Sequence, residues 1–292
     1  MKGTTKNHRF GLSAAVQFAS LIILLAGCAF SPFNSLEQRR AQASKLATDV
    51  GWQRFTLDAG VFALAAFIPA NLIHADTLTI YIEGDGRAWI NSTWASFDPT
   101  PRDPLALRLA LRDPSGNAVY LARPCQFVIN ENRRNCEAKY WTSHRFAPEV
   151  IESGNQAVNI LKARYGADKI MLVGYSGGGA VAALIAARRD DVALLVTVAG
   201  NLDHVFWTAS HGISPLSGSL NPADAAKNLQ QVPQRHYVGA RDVIIDERVA
   251  RAYAARFETN NAPSIIVIPE FDHHCCWIDI WPDLVQSGFK AR

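Results

Sequence analysis

Lys169-Ile170-Met171-Leu172-Val173-Gly174-Tyr175-Ser176-Gly177-Gly178-Gly179 runs directly into an alanine-rich stretch from Ala180 to Arg188. The apolar, partly β-branched start predicts a short buried strand, and the small residues that follow predict a helix. Between them the glycines predict a sharp turn with Ser176 at its apex. A serine hydroxyl is a poor nucleophile unless it is held in the open beside a base. Glycines flank it because neighbouring side chains would clash in such a turn. The plain alternative is a glycine turn that closes a strand–helix unit, with Ser176 serving only as a helix N-cap.

Working outward, apolar runs of strand type recur at 52–58, 61–68, 78–83, 118–122, 169–173, 193–198, 235–239 and 264–268. Helical patterns fall between the later ones, at 104–112, 146–165, 177–189, 223–230 and 246–258. Hairpin-like strands followed by alternating helix and strand predict an α/β fold. Its centre is a mostly parallel sheet of about eight strands with helices on both faces. In such sheets catalytic groups gather on the loops leaving one edge.

The order strand, Gly174-x-Ser176-x-Gly178, helix resembles the nucleophile elbow of the α/β-hydrolases. That resemblance implies a serine, then an acid, then a histidine, each on a loop after a strand. Arg235-His236-Tyr237-Val238-Gly239 reads as a strand with Asp242 on its exit, similar to the family's strand-Gly-x-x-Asp. Ile265-Ile266-Val267-Ile268 leads into Pro269-Glu270-Phe271-Asp272-His273, which resembles the loop carrying the family's histidine. The implied triad is Ser176, Asp242 and His273. Asp203 is the rival acid, because it follows the 193–198 run, and Asp242 could simply form a turn or cap a helix. His274 is the rival base, with the spacing from the strand favouring His273.

Backbone N–H groups must also face the developing oxyanion. The resemblance assigns one to Gly177. The other falls in Glu83-Gly84-Asp85-Gly86, from Asp85 or Gly86, where the family has His-Gly-Gly-Gly. The carboxylate of Asp85 would be costly there unless it points away or pairs, with Arg87 as the nearby cation. Trp207 or Trp94 is the aromatic expected to face a substrate, and 202–232 is long enough for a small lid.

Residues 1–27 read as a targeting segment: Lys2, Lys6 and Arg9, then a short apolar stretch from Phe18 to Ala26. Leu25-Ala26-Gly27-Cys28 resembles the bacterial lipoprotein box, which implies cleavage before Cys28 and a lipid on it. Ala29, where the inner-membrane retention signal has Asp, implies the outer membrane facing the periplasm. Residues 28–50 are expected to be the lipidated cysteine and a tether ending in a helical turn, and the resemblance assigns 51–292 to the α/β-hydrolase domain. Removing the three basic residues of the leader from 29 leaves 26 Lys+Arg against 26 Asp+Glu. A neutral chain without a basic run gives no case for nucleic acid.

Four cysteines remain, and an oxidising compartment favours their pairing. Cys125–Cys136 would staple a polar loop; Cys275 and Cys276 would then be bonded neighbours, or the two regions cross-pair. Asp272-His273-His274-Cys275-Cys276 contains zinc-ligand types, but adjacent residues point apart, and no second pair completes a site. No metal or other cofactor is expected. The expected activity is that of a lipid-anchored serine hydrolase acting on a small acyl substrate through an acyl-enzyme. Carboxyl esters come first, with thioesters and peptides as alternatives. A non-catalytic envelope scaffold is the rival from another class.

Overall fold

The computed structural model describes residues 1–3, 35–71 and 76–289. The leader beyond residue 3 and the lipidation candidate Cys28 lie outside the described residues. The described residues from Leu36 onward form one compact unit.

Its elements in chain order are α1 (Leu36–Thr48), β1 (Trp52–Ala59), β2 (Phe62–Pro69), β3 (Thr77–Ile82), α2 (Leu105–Leu111), β4 (Ala118–Leu121) and α3 (Pro148–Tyr165). They continue with β5 (Lys169–Tyr175), α4 (Gly177–Ala186), β6 (Val192–Val198), α5 (His204–His211), β7 (Gln234–Gly239), α6 (Glu247–Ala254), β8 (Ser264–Ile268) and α7 (Trp277–Gln286). Short 3-10 segments, including Pro222–Leu229, fill the connections. The strands form one eight-stranded sheet in the order β1-β2-β4-β3-β5-β6-β7-β8. β2 runs antiparallel to both β1 and β4; every other neighbouring pair is parallel.

Side chains alternate across a strand, so a sheet covered on both faces must be apolar at successive residues. β2 meets that demand with Phe62, Leu64, Ala66 and Ile68 in one core and Ala65 and Phe67 in the other. β5 does the same, with Ile170 and Leu172 against Val173 and Tyr175. Helices α3 and α4 cover the first face; α1, α2 and α7 cover the second. Among the described residues no helix is long and apolar enough to cross a membrane.

All eight strands fall on the expected runs. The tether does not extend as far as residue 50, because α1 is packed onto the domain. Its buried face is Arg39, Ala43 and Ala47, spaced four apart, and the Arg39 guanidinium bonds the Thr100 carbonyl. A face made of two alanines and an arginine leaves almost no hydropathy signal, which is why the stretch reads as a tether. Helices α5 and α7 likewise fall outside the helical patterns of the sequence. α7 places Trp277 and Trp281 wholly inside the second core.

Candidate active site

Ser176 sits where β5 turns into α4, with φ 52° and ψ −121°. Such a backbone is strained for a residue with a Cβ and persists only where its surroundings enforce it. Close packing does so here. A side chain at Gly178 would collide with the Ile82 and Glu83 carbonyls, and one at Gly174 with the Gly178 carbonyl. The Ser176 side chain makes no N-cap bond to the helix. Its Oγ instead lies 3.1 Å from His273 Nε2.

His273 follows β8 and is 6% exposed. Its Nδ1 is 2.8 Å from Asp242 Oδ2. Asp242 follows β7, is 3% exposed, and has its other oxygen held by the amides of Ile244 and Ile245, each at 2.8 Å. One oxygen is therefore fixed by the turn and the other presented to the imidazole. Tyr175 steadies the histidine from beneath: its ring lies 5.3 Å from the His273 ring, and its hydroxyl is 3.2 Å from the His273 carbonyl.

The rivals are occupied elsewhere. Asp203 caps α5, accepting from the Phe206 amide at 3.0 Å and from Asn221 Nδ2 at 3.1 Å. His274 Nδ1 faces the Tyr175 hydroxyl at 3.0 Å. Burial, with help from His273, lowers the His274 pKa.

The loop after β3 lies against the elbow. A Cβ at Gly84 would be 3.3 Å from Ser176 Cβ, and a side chain at Gly177 would strike the Asp85 carboxylate. Gly86, with φ +65°, instead turns against the Pro99 carbonyl. Asp85 is paired, but not with Arg87. Arg123 Nη1 donates to its Oδ1 at 3.0 Å, and Arg145 Nη1 to its Oδ2 at 2.5 Å. Arg123 also bonds the Arg145 carbonyl, and Gln126 Nε2 donates to the Gly84 carbonyl at 2.9 Å. Burial pushes the Asp85 pKa up, but the two guanidiniums outweigh it and hold the carboxyl below its ordinary value. Next to it, Glu83 makes no direct ion pair among the described residues. Burial raises it to about 7, against the opposing pull of the Gly84 and Ala106 amides and the Tyr120 hydroxyl.

A cleft of about 490 Å³ opens over Ser176 and His273. Trp89, Ile90 and Pro101 give it an apolar wall, and Arg87 and Arg102 a basic one. Neither expected tryptophan lines it. Trp94 is 68% exposed, and Trp207 donates its indole N–H to the Ile244 carbonyl at 2.7 Å. No residue of 202–232 lines this cleft either. That stretch holds α5 and the 222–229 segment, and it lines a separate cavity with His204. Disulfides join Cys125 to Cys136 and Cys275 to Cys276. Among the described residues no three His, Cys, Asp or Glu side chains are grouped to hold a metal.

Trp89, rather than Trp207 or Trp94, is the tryptophan on the cleft wall, and nothing in the local sequence marks Arg123 or Arg145. The two arginines lie 38 and 60 residues from Asp85 and carry no local motif.

No protein-family model matches the sequence, and no curated protein matches it. Solved structures do. An alpha-beta serine hydrolase homologue from Coxiella burnetii superposes with TM-score 0.55 at 15% identity, over 81% of this chain and 95% of that one. An a/b serine hydrolase without a lid from Xanthomonas campestris gives 0.51 at 15% identity, over 81% and 93%. An esterase from Pyrococcus furiosus gives 0.53 at 15% identity, over 82% and 91%. The chain has the α/β-hydrolase fold.

Proposed function

We propose that this protein is a serine hydrolase acting on carboxyl esters, anchored in the cell envelope through a lipid on Cys28. The observation that carries the catalytic reading is the hydrogen-bonded line Ser176–His273–Asp242 on the floor of an open cleft. His273 Nε2 takes the Ser176 proton as Oγ attacks the ester carbonyl, and Asp242 holds the imidazolium that forms. The same nitrogen then gives the proton to the leaving alcohol, and water repeats the sequence to release the acid.

The oxyanion is received by the Gly177 amide, which opens α4 and so lacks a partner within its helix, and by the Asp85 amide. The contacts of Gly84 and Asp85 with Ser176 and Gly177 favour Asp85 over Gly86. Two guanidiniums around one carboxylate leave the cluster with a net positive charge beside the developing negative one, so the Asp85 side chain does not oppose catalysis. The anchoring reading rests on Leu25-Ala26-Gly27-Cys28 and the basic and apolar residues before it.

The test is covalent labelling by a fluorophosphonate, followed by turnover of short acyl esters. Labelling is expected in the wild type and lost in Ser176→Ala and His273→Ala. A folded wild type that neither labels nor turns over esters would leave the fold as a binding scaffold.

A further inference from the structure

A second cavity, of about 530 Å³, shares no lining residue with the Ser176 cleft. It opens beside α1, and its walls carry three guanidinium groups: Arg40, Arg54 and Arg133. Two of them share a single carboxylate. Arg40 Nη2 lies 3.2 Å from Asp98 Oδ2, and Arg133 Nη1 contacts the same oxygen. Arg54 has no carboxylate partner among the described residues and donates to the Phe127 carbonyl at 2.7 Å. Arg40 Nε is buried with no hydrogen-bond partner. Glu37 is the one acid on the wall itself, so with Asp98 behind, three cations face two anions.

These cations crowd one another. Burial lowers the Arg54 pKa, and the Arg40 charge lowers it further. Burial also lowers that of Arg40; Asp98 opposes the shift and Arg133 adds to it. The bonds to backbone carbonyls explain why the arginines are ordered. They do not neutralise the charge. An anion with several free oxygens would, and guanidinium forks match phosphate oxygens in shape. Phe67, Phe127 and the partly exposed Ile129 give the cavity an apolar side, and Ser44 and Asn130 add neutral polar groups.

We propose that this cavity binds the phosphate of a phospholipid headgroup, with the glycerol and first acyl carbons against Phe127 and Ile129. Leu36, on its wall, is eight residues after Cys28, at most about 28 Å of extended chain. A lipid on Cys28 would therefore hold this face within reach of a bilayer. That point depends on the anchoring reading; the charge and shape do not.

The experiment is native mass spectrometry of the full chain released from non-ionic micelles doped with either phosphatidylglycerol or dioleoylglycerol. Retention of phosphatidylglycerol at least tenfold above dioleoylglycerol is expected. Arg54→Gln should cut it tenfold or more, while the distant surface variant Arg248→Gln should not. Ile129→Trp, which fills the apolar side, should also cut it and covers the case in which Arg54→Gln fails to fold. Equal retention of the two lipids, or full retention in folded Arg54→Gln, would overturn the proposal. Displacement of the lipid by equimolar inorganic phosphate would overturn the lipid assignment in favour of a soluble phosphate ligand. None of these outcomes depends on Ser176, so they are separate from the hydrolase reading.

Discussion

Two adjacent strands leave the sheet at the same edge and use their polar residues in opposite ways. Where β5 ends, the chain turns at Ser176 with φ 52° and enters α4 at once; the hydroxyl caps nothing and faces His273. Where β6 ends, the chain turns at Ala199 with φ 49° and enters α5 at Asp203, whose carboxylate is spent on the Phe206 amide and Asn221. Both exits have a residue in the left-handed region, and both place a polar side chain above the sheet. The difference is what satisfies the backbone. At Ser176 the glycines and the carbonyl contacts fix the turn, so the side chain stays free for chemistry. At Asp203 the side chain itself completes the helix start. Asp242 lies between these cases, giving one oxygen to its turn and the other to His273.

The largest effects should come from the free exit. Ser176→Ala and His273→Ala are expected to lower kcat by roughly 10⁴- to 10⁶-fold and Asp242→Asn by about 10⁴-fold, read as ester turnover in protein of unchanged Tm. Comparable loss in His274→Ala would break the assignment of His273. The clamp on the loop after β3 comes next. Arg123→Gln should lower kcat by about ten- to a hundredfold with little change in KM, and Arg123→Lys should recover part of it. A change in KM alone would point to a binding role instead.

Glu83, beside the clamp, acts on stability rather than turnover. Its carboxyl titrates at about 7 in the folded chain against an ordinary 4.5, so the folded state holds this proton more tightly. The stabilisation is complete below about pH 4.5, is lost as pH rises towards 7, and stays lost above it. Its size is on the order of 3 kcal/mol. The Tm of wild type relative to Glu83→Gln should therefore fall between pH 4.5 and 7. A parallel pair of curves would show that Glu83 is not the group responsible.

The smallest effect belongs to the occupied exit. Asp203→Ala should cost about 1 kcal/mol of stability, the value of an N-cap, with turnover per folded molecule unchanged. Loss of turnover there would return Asp203 to the position of the acid.

Most of the fold was legible because its signals are local. The runs that became β1 to β8 declare themselves through apolar continuity, and Ser176 through the glycines around it. Residues 36–48 were misread because their buried face is two alanines and an arginine, whose burial depends on Thr100, far along the chain. Trp207 and Trp94 were the wrong aromatics for the cleft, since nothing local distinguishes them from Trp89.

The sheet, the elbow and the short set of acids and histidines from which a site could be built are readable in the amino-acid order alone. Those features follow from side-chain period, turn sterics and chain order, all encoded within a few residues. That Asp242 and His273, rather than Asp203 or His274, lie in line with Ser176, and that Arg123 and Arg145 rather than Arg87 hold Asp85, is visible only in the folded chain. Each of those choices is a matter of hydrogen bonds between groups distant along the chain. Arg123, Arg145 and Asp85 come from three separate loops, and their meeting is set by how the strands stack, which no local pattern records.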